Sequence, residues 1–427
     1  MISKTFNRNF TLVVLGQIIS ILGSAILRFA LTLHVLRITG RADVFAAVFA
    51  VSSIPSIFFA LFGGAIADRY NRRNLMVIFD FTSSAIVLSA IVLFRIGYMD
   101  NILIIGLVMA LLSLVSSAYQ PTVQSCLPGL VPESSLPQAN GIVTGVNAVS
   151  NLIAPALGGM LFPLGLEAIL ITGCAAFFLS AVMEIFIKVP FEKKVWEKSF
   201  IPSIAGDIKQ GVGYIIKKNH HILRILMMAT GMNLVLAPFL VVGAPYILEQ
   251  VMESNPFMYS LGLVLIQGSF IIGALMVGVF ANKLKVSIIY RWLLTGAALL
   301  APMALALTRT VLDLGEWPSF LLFFSFAVVL VTMASILTIY VITLIQKETP
   351  NEMLGKIMAI VMTLSQCAIP LGSLMYGTLF EAFKPTPYMP VWIICFLTFA
   401  IALGSKYFLK EPVKNHKEPE IPMSELP

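Results

Sequence analysis

The chain has 427 residues, 58% hydrophobic and 11% charged, with a mean hydropathy of +0.93. A soluble chain carries about a quarter charged residues, so these figures exclude a globular enzyme with a large core and imply a polytopic membrane protein. The net charge of +7 raises nucleic acid as a partner, but its distribution reads as membrane orientation instead.

A helix needs about 20 apolar residues to cross the hydrocarbon core. Along the chain that ruler predicts twelve spans: 10–36, 43–66, 75–95, 102–124, 140–163, 167–188, 221–247, 258–281, 287–308, 318–346, 355–380 and 389–409. The segments are continuously apolar rather than alternating, which argues against barrel strands. The first is too long for a signal-peptide core and lacks a small-residue cleavage site, so a retained helix is expected. With the N-terminus inside, nearly all of the 28 Lys and Arg fall on one side. Only Arg37, Arg41, Arg95, Arg309 and Lys384 lie on the other, and Arg28 lies within a span. Positive charge marks the cytoplasmic side, so both termini are expected there, and no nucleic-acid partner is implied.

The polar stretch 189–220 separates six spans from six. In it Ile201, Ile204, Ile208, Val212 and Ile215 recur at helical spacing, with Lys209, Lys217 and Lys218 off that face. This predicts an amphipathic helix on the cytoplasmic surface. The expected organisation is a six-helix bundle over 1–188, a linker over 189–220, a second six-helix bundle over 221–411 and a disordered Pro-rich tail over 412–427. The fold class is an all-α membrane protein with two pseudo-symmetric halves, expected as a monomer in the lipid bilayer of the cell (inner) membrane. Cys126, Cys174, Cys367 and Cys395 have neither disulfide nor zinc spacing. No metal and no cofactor is expected.

The halves echo each other. Gly64-Ala-Ile-Ala-Asp68-Arg69 matches Gly278-Val-Phe-Ala-Asn282-Lys283, and Ser150 to Pro155 matches Ser365 to Pro370, at offsets of 214 and 215 residues. Pro132 and Leu136 likewise match Pro350 and Leu354. A duplicated six-helix half with a midplane substrate site is how many secondary transporters are built.

Three spans carry polar stripes. Gln17, Ser20, Ser24 and Arg28 share one face of the first, as do Ser113, Ser117, Gln120 and Gln124 in the fourth and Asn140, Thr144, Asn147 and Asn151 in the fifth. The second half is drier, with Asn233, Gln267, Thr332, Ser335, Thr363 and Gln366 thinly spread. Polar groups at this depth face the bundle interior or water, so a hydrated cavity lined mainly by the first half is expected. Its substrate-binding residues are read as Gln17, Ser20, Ser24, Arg28, Ser117, Gln120, Asn147, Asn151, Asn233 and Gln267. A charge at bilayer depth costs about 2.5–3.5 kcal/mol on the gentlest scale. Helical side chains lean toward the helix N-terminus, which turns Arg28 back into the membrane and toward this cavity. Its partner is open among an anionic substrate, backbone carbonyls and water.

The loop after the second span, "GGAIADRYNRRNLM", resembles the signature of the major facilitator superfamily, Gly-x-x-x-Asp-Arg-x-Gly-Arg-Arg/Lys. Gly64, Asp68, Arg69, Arg72 and Arg73 match it, and Asn71 stands where Gly is usual. Asn also tolerates a left-handed turn, so the turn is expected to survive. The resemblance implies a gate in which Asp68 and the arginines hold the halves together at the cytoplasmic side. The fifth span resembles the antiporter signature of the drug-exporting branch through Gly141, Pro155, Gly158 and Gly159, with Ser150 and Ala154 where Gly is usual. "GQIISILGSAIL", "PGLVPESSLPQANG" and "DIKQGVGYIIKKNHHILRIL" are similar to the macrolide-efflux-type members, a branch that also holds siderophore and lysophospholipid transporters.

That resemblance implies a secondary active exporter of amphipathic, macrolide-like or drug-like small molecules, coupled to protons and working by alternating access. Arginine does not titrate, so Asp80 and Glu184 are the proton-coupling candidates, or else structural partners of the loop arginines; His34 is a weaker one. A second reading is an exporter or flippase of an anionic amphiphile held by Arg28. A third is a non-transporting membrane sensor. An enzyme is not expected, because the chain has no HExxH, no paired intramembrane aspartates and no Ser/His constellation, and His34, His220, His221 and His416 sit at helix ends or in the tail.

Overall fold

The structure, a computed structural model, describes residues 8–132, 135–188, 200–217, 219–280 and 286–408. Almost all of them are helical. In chain order the helices are α1 (Arg8–Thr39), α2 (Ala42–Arg69), α3 (Arg72–Arg95), α4 (Ile102–Leu130), α5 (Leu136–Leu161), α6 (Leu166–Ile185) and α7 (Phe200–Lys217). They continue as α8 (His220–Val251), α9 (Pro256–Phe280), α10 (Ile289–Leu305), α11 (Glu316–Glu348), α12 (Asn351–Ala382) and α13 (Tyr388–Phe408). Among the described residues ten helices are long and apolar enough to cross a membrane, and Ala42–Ile57 of α2 and all of α10 are shorter apolar helices. Several helices outrun their hydropathy-predicted ends. α4 continues to Leu130 through Pro121 and Pro128, because neighbouring helices and side chains can satisfy the backbone that proline frees. α8 takes π turns at Phe239–Gly243 and Ile247–Val251.

The packing repeats itself. α1 lies against α5 and α6, α2 against α4, and α3 against α4 and α6. The same scheme joins α8 to α12 and α13, α9 to α11, and α10 to α11 and α13. Two crossings tie the sets together, α2 with α12 and α5 with α9. Glycine sets both distances. A Cβ on Gly159 would fall 3.0 Å from Ser260 Cβ in α9, and one on Gly377 would fall 2.9 Å from Asp43 Cα in α2.

The buried clusters divide the molecule by depth. At the end away from α7, one cluster draws on both sets, joining Leu33, Leu36, Phe45 and Ala46 to Phe239, Tyr246, Tyr376 and Phe380. At the α7 end the clusters are separate. One, around Phe10, Met76, Tyr119 and Leu127, belongs to the first set; the other, around Ile222, Ile289, Val341 and Ile357, belongs to the second. Among the described residues the two sets therefore share a buried cluster at the far end and have separate ones at the α7 end. Polar ties across the far end are Arg37 Nε to Glu249 Oε1 at 2.6 Å and Lys384 Nζ to the Gly40 carbonyl at 3.3 Å. Gly40 itself closes α1. Its φ of +59° is cheap for glycine, and its N–H caps the Leu36 carbonyl at 2.8 Å.

α7 packs on α12 and α8. Lys209 and Lys217 are exposed and Ile215 is buried, as the spacing predicts, whereas Val212 is exposed; Gln210 Oε1 accepts from Lys356 Nζ at 2.6 Å. The side chains of Ile201, Ile204 and Ile208, and residue Lys218, lie outside the described residues, as does the predicted tail 412–427.

The expectation for Asn71 is corrected. It has φ −62° and ψ 113°, an extended conformation, not a left-handed one. It acts as the N-cap of α3, its side chain accepting from the N–H groups of Arg73 at 3.1 Å and Asn74 at 3.4 Å. The side-chain oxygen, rather than a tolerated turn, accounts for asparagine here. Asn71→Ala is expected to cost about 1 kcal/mol and Asn71→Gly only a few tenths, read as the ordering of thermal unfolding midpoints in detergent.

Candidate functional site

Between the two sets lies a cavity with two lobes. The larger, of about 580 Å³, is walled by α1 to α5, with Val241 of α8 and Gln366, Ile369 and Pro370 of α12 closing it. Its wall is rich in hydroxyls: Ser20 and Ser24 from α1, Ser52, Ser53 and Ser56 from α2, Ser83 from α3, and Ser113, Ser116 and Ser117 from α4. The smaller lobe, of about 350 Å³, is aromatic, lined by Phe29, Phe45, Phe49, Tyr259 and Phe270, with Gln267 and Pro155. Arg28, Phe49 and Asn151 border both lobes. Phe29 and Tyr259 meet edge to face, ring centroids 5.7 Å apart, joining α1 to α9.

Arg28 sits at the waist. Its side chain is exposed and open to both lobes. Its backbone carbonyl accepts from the Thr32 hydroxyl. Among the described residues its guanidinium has no hydrogen bond or ion pair to protein.

One wall of the larger lobe holds a pair of acids. Asp80 on α3 is 2% exposed and Glu184 on α6 is 0% exposed. Ser20 Oγ donates to Asp80 Oδ1 at 2.7 Å, and Tyr119 Oη donates to Glu184 Oε1 at 2.7 Å. Ser180 lies beside Asp80 and donates to the Gly16 carbonyl at 2.9 Å. The two acids are close enough to interact electrostatically. Their other oxygens, Asp80 Oδ2 and Glu184 Oε2, are buried without a hydrogen-bond partner among the described residues. Packing makes the pair. Gly16 leaves α1 room for both Ser180 and Glu184, since a Cβ there would come within 3.4 Å of each.

The predicted stripes separate on inspection. Ser20, Ser24, Arg28, Ser117, Gln120, Asn147 and Asn151 line the larger lobe, and Gln267 lines the smaller one. Gln120 and Asn147 exchange amide bonds at 3.0 and 3.2 Å, and Asn151 Nδ2 donates to the Asn147 carbonyl at 2.8 Å. Gln17 and Asn233 border neither lobe. Gln17 is fully buried and donates to the Val143 carbonyl of α5 at 3.4 Å. Asn233 donates to the Ala229 carbonyl at 3.1 Å and to Ser365 Oγ at 3.5 Å.

The spacing did not single out the α2 serines or the aromatic lobe. Ser52 and Ser53 both donate to the Phe49 carbonyl, and Ser56 to that of Ser53. Serines satisfied by their own helix form no stripe, and aromatics in an apolar span look like any other lipid-facing residue.

In the loop signature, Arg73 donates to the Ile185 carbonyl of α6, a bond within the first set, and its Nη1 donates to Asn74 Oδ1 at 3.2 Å. The side chains of Gly64, Asp68 and Arg69 lie outside the described residues; Arg72 opens α3. In the α5 signature, Gly158 backs onto Phe29 of α1, Gly159 meets α9, and Gly141 faces open space. His34 Nε2 lies 3.4 Å from Asp100 Oδ1, away from the acid pair.

A family model described as Major Facilitator Superfamily matches residues 13–373. Macrolide efflux protein A of Streptococcus pyogenes is 22% identical over 364 residues, covering 84% of this chain and 85% of that protein. The multidrug efflux pump Tap of Mycobacterium bovis is 24% identical over 365 residues, covering 82% and 81%. A crystal structure of the nucleoside transporter NupG superposes with a TM-score of 0.71 at 12% identity, covering 95% of this chain and 100% of that one.

The placement of the stripes is testable by labelling. In a variant lacking the four native cysteines, Ser24→Cys and Ser117→Cys are expected to react with a charged maleimide at least about tenfold faster than Gln17→Cys, because reaction needs a wet, reachable thiol. Equal rates at all three positions would contradict the cavity boundaries given above.

Proposed function

The chain belongs to the Major Facilitator Superfamily, and from that premise we propose that it is a proton-coupled exporter of amphipathic small molecules working by alternating access. The observation that carries this reading is the one-sided closure: the two sets share a buried cluster at the far end and have separate clusters at the α7 end. A central cavity sealed at one end by apolar contact between the two sets fits one half of an alternating-access cycle. The positive-inside count supports a cytoplasmic α7 end, and with it the reading of this conformation as one that loads from the cytoplasm. Twelve spans with both termini inside complete this topology. The names of the efflux relatives favour export of drug-like molecules.

In this cycle the far end opens by parting Leu33, Leu36, Phe45 and Ala46 from α8 and α12, and by breaking the bond between Arg37 and Glu249. The halves pivot on their two glycine-spaced crossings. At the α7 end, Asp68 and the arginines of the loop after α2 close against the second half.

The acid pair supplies the coupling. Two buried carboxylates near enough to interact, with no cation against either among the described residues, are the groups to which we assign the coupled proton. Asp80 is the member of the pair that borders the cavity, so it is the group through which a proton would enter and leave the pair. Glu184 lies behind it with Tyr119. Ser20 links the pair to α1, the helix that also carries Arg28, so a proton arriving at Asp80 changes a hydrogen bond on the helix that lines the ligand's seat.

The test is flux in proteoliposomes. A pH gradient imposed across vesicles holding the purified protein is expected to drive uptake of at least one of a macrolide, a cationic dye or an anionic amphiphile. Asp80→Asn is expected to cut the gradient-driven rate by at least about tenfold, within the range of single proton-transfer groups, while counterflow exchange without a gradient persists. Absence of gradient-driven flux with every compound would remove the exporter reading. Full flux in Asp80→Asn and Glu184→Gln would remove the acid pair from it.

A further inference from the structure

Arg28 holds a positive charge at the junction of a hydroxyl-lined lobe and an aromatic lobe, with no protein partner among the described residues. We propose that it seats the anionic group of an amphiphilic ligand, a carboxylate, sulfate or phosphate monoester, whose apolar body lies in the aromatic lobe. This deepens the exporter reading and rests on the cavity being the substrate path.

The charge balance around Arg28 carries the inference. A cation at membrane depth that opens onto a cavity and has no counter-charge bonded to it is costly and calls for a partner from the cavity. Among the described residues Asp80 is the other charged residue lining the two lobes; its Oδ1 accepts from Ser20 and its Oδ2 has no hydrogen-bond partner, so neither oxygen is bonded to Arg28. Arg37 and Glu249 pair with each other at the far end. The guanidinium therefore presents its N–H fork to the cavity, and that fork matches two oxygens of one acid group.

The shape of the site supplies the rest of the ligand. On one side of Arg28 lie the serines of α1, α2 and α4, and on the other lie Phe29, Phe45, Phe49, Tyr259 and Phe270. A ligand whose charged head joins directly to an apolar body satisfies both sides at once. A permanently cationic amphiphile would set like charges side by side at the waist.

The experiment is equilibrium binding to the full chain in nanodiscs, with empty nanodiscs subtracted. The probes are dansyl-labelled undecanoic acid and its neutral primary amide, compared where the acid is fully ionised. The acid is expected to bind roughly tenfold or more tightly than the amide, the scale of a charge-assisted bond. Arg28→Gln is expected to bring the acid to within about twofold of the amide, its folding being checked independently by size-exclusion profile and thermal unfolding midpoint; Arg28→Lys keeps part of the preference.

Equal binding of acid and amide by the wild type, binding of neither, or an acid preference that survives Arg28→Gln would each overturn the proposal. Should Arg28→Gln not fold, the wild-type ratio and its reduction in Arg28→Lys decide. Competition by a short-chain alkyl sulfate or by lysophosphatidic acid distinguishes a water-borne from a membrane-borne anion, and displacement by neither also overturns it. The ratio is measured without flux. Loss of gradient-driven transport with the ratio intact removes the exporter reading alone, and intact transport without the ratio removes this one.

Discussion

A span in hydrocarbon has no water to satisfy its polar side chains, so each of them finds a protein partner or faces a wet interior. That constraint orients the helices of this molecule. α1, α4 and α5 each turn a polar face to the centre and leave apolar surface for lipid and for their neighbours. α9, α10, α11 and α13 have little polar surface to hide. They pack instead into the aromatic cluster around Phe239, Phe320, Phe323 and Phe324. The division of labour between the sets follows: the first walls most of the cavity, and the second contributes the seal and much of the aromatic lobe.

The seal has a simple energetic logic. At the far end, apolar side chains from both sets are removed from contact with anything but each other, and a few polar ties lie at the rim. Exposed or half-exposed ion pairs add at most about 1 kcal/mol each, so apolar contact carries the closure and the ties set its register. At the α7 end the described residues of each set form a core of their own. Separation there exposes neither of these clusters.

Much of this was legible in the sequence, and what was not has physical causes. Span positions follow from apolar length, and the paired offsets of Gly64 with Gly278 and Pro155 with Pro370 anticipate the doubled packing scheme. The stripes pick out Ser20, Ser24, Arg28, Ser117, Gln120, Asn147 and Asn151, because a helical face is a local property. Gln17 shares that face and still misses the cavity, because it lies where α5 closes against α1. The meeting of Asp80 with Glu184 depends on how α3 and α6 pack and rotate, which no spacing within either helix encodes. Asn71 shows the opposite error: a residue judged by its tolerance of a left-handed turn is there for the oxygen on its side chain.

The serines of the larger lobe have a consequence for what the wall can say to a ligand. Ser52, Ser53, Ser56 and Ser117 each donate to a carbonyl of their own helix, and Ser20 donates to Asp80. A hydroxyl whose proton is committed has only lone pairs left to offer. Along α2 the lobe is therefore a surface of acceptors, and the guanidinium of Arg28 is its densest group of donors. Hydrogen-bond polarity, quite apart from charge or size, becomes a sorting rule: an alcohol or an amide N–H finds company all along α2, while an oxyanion finds its strongest welcome at a single point on α1.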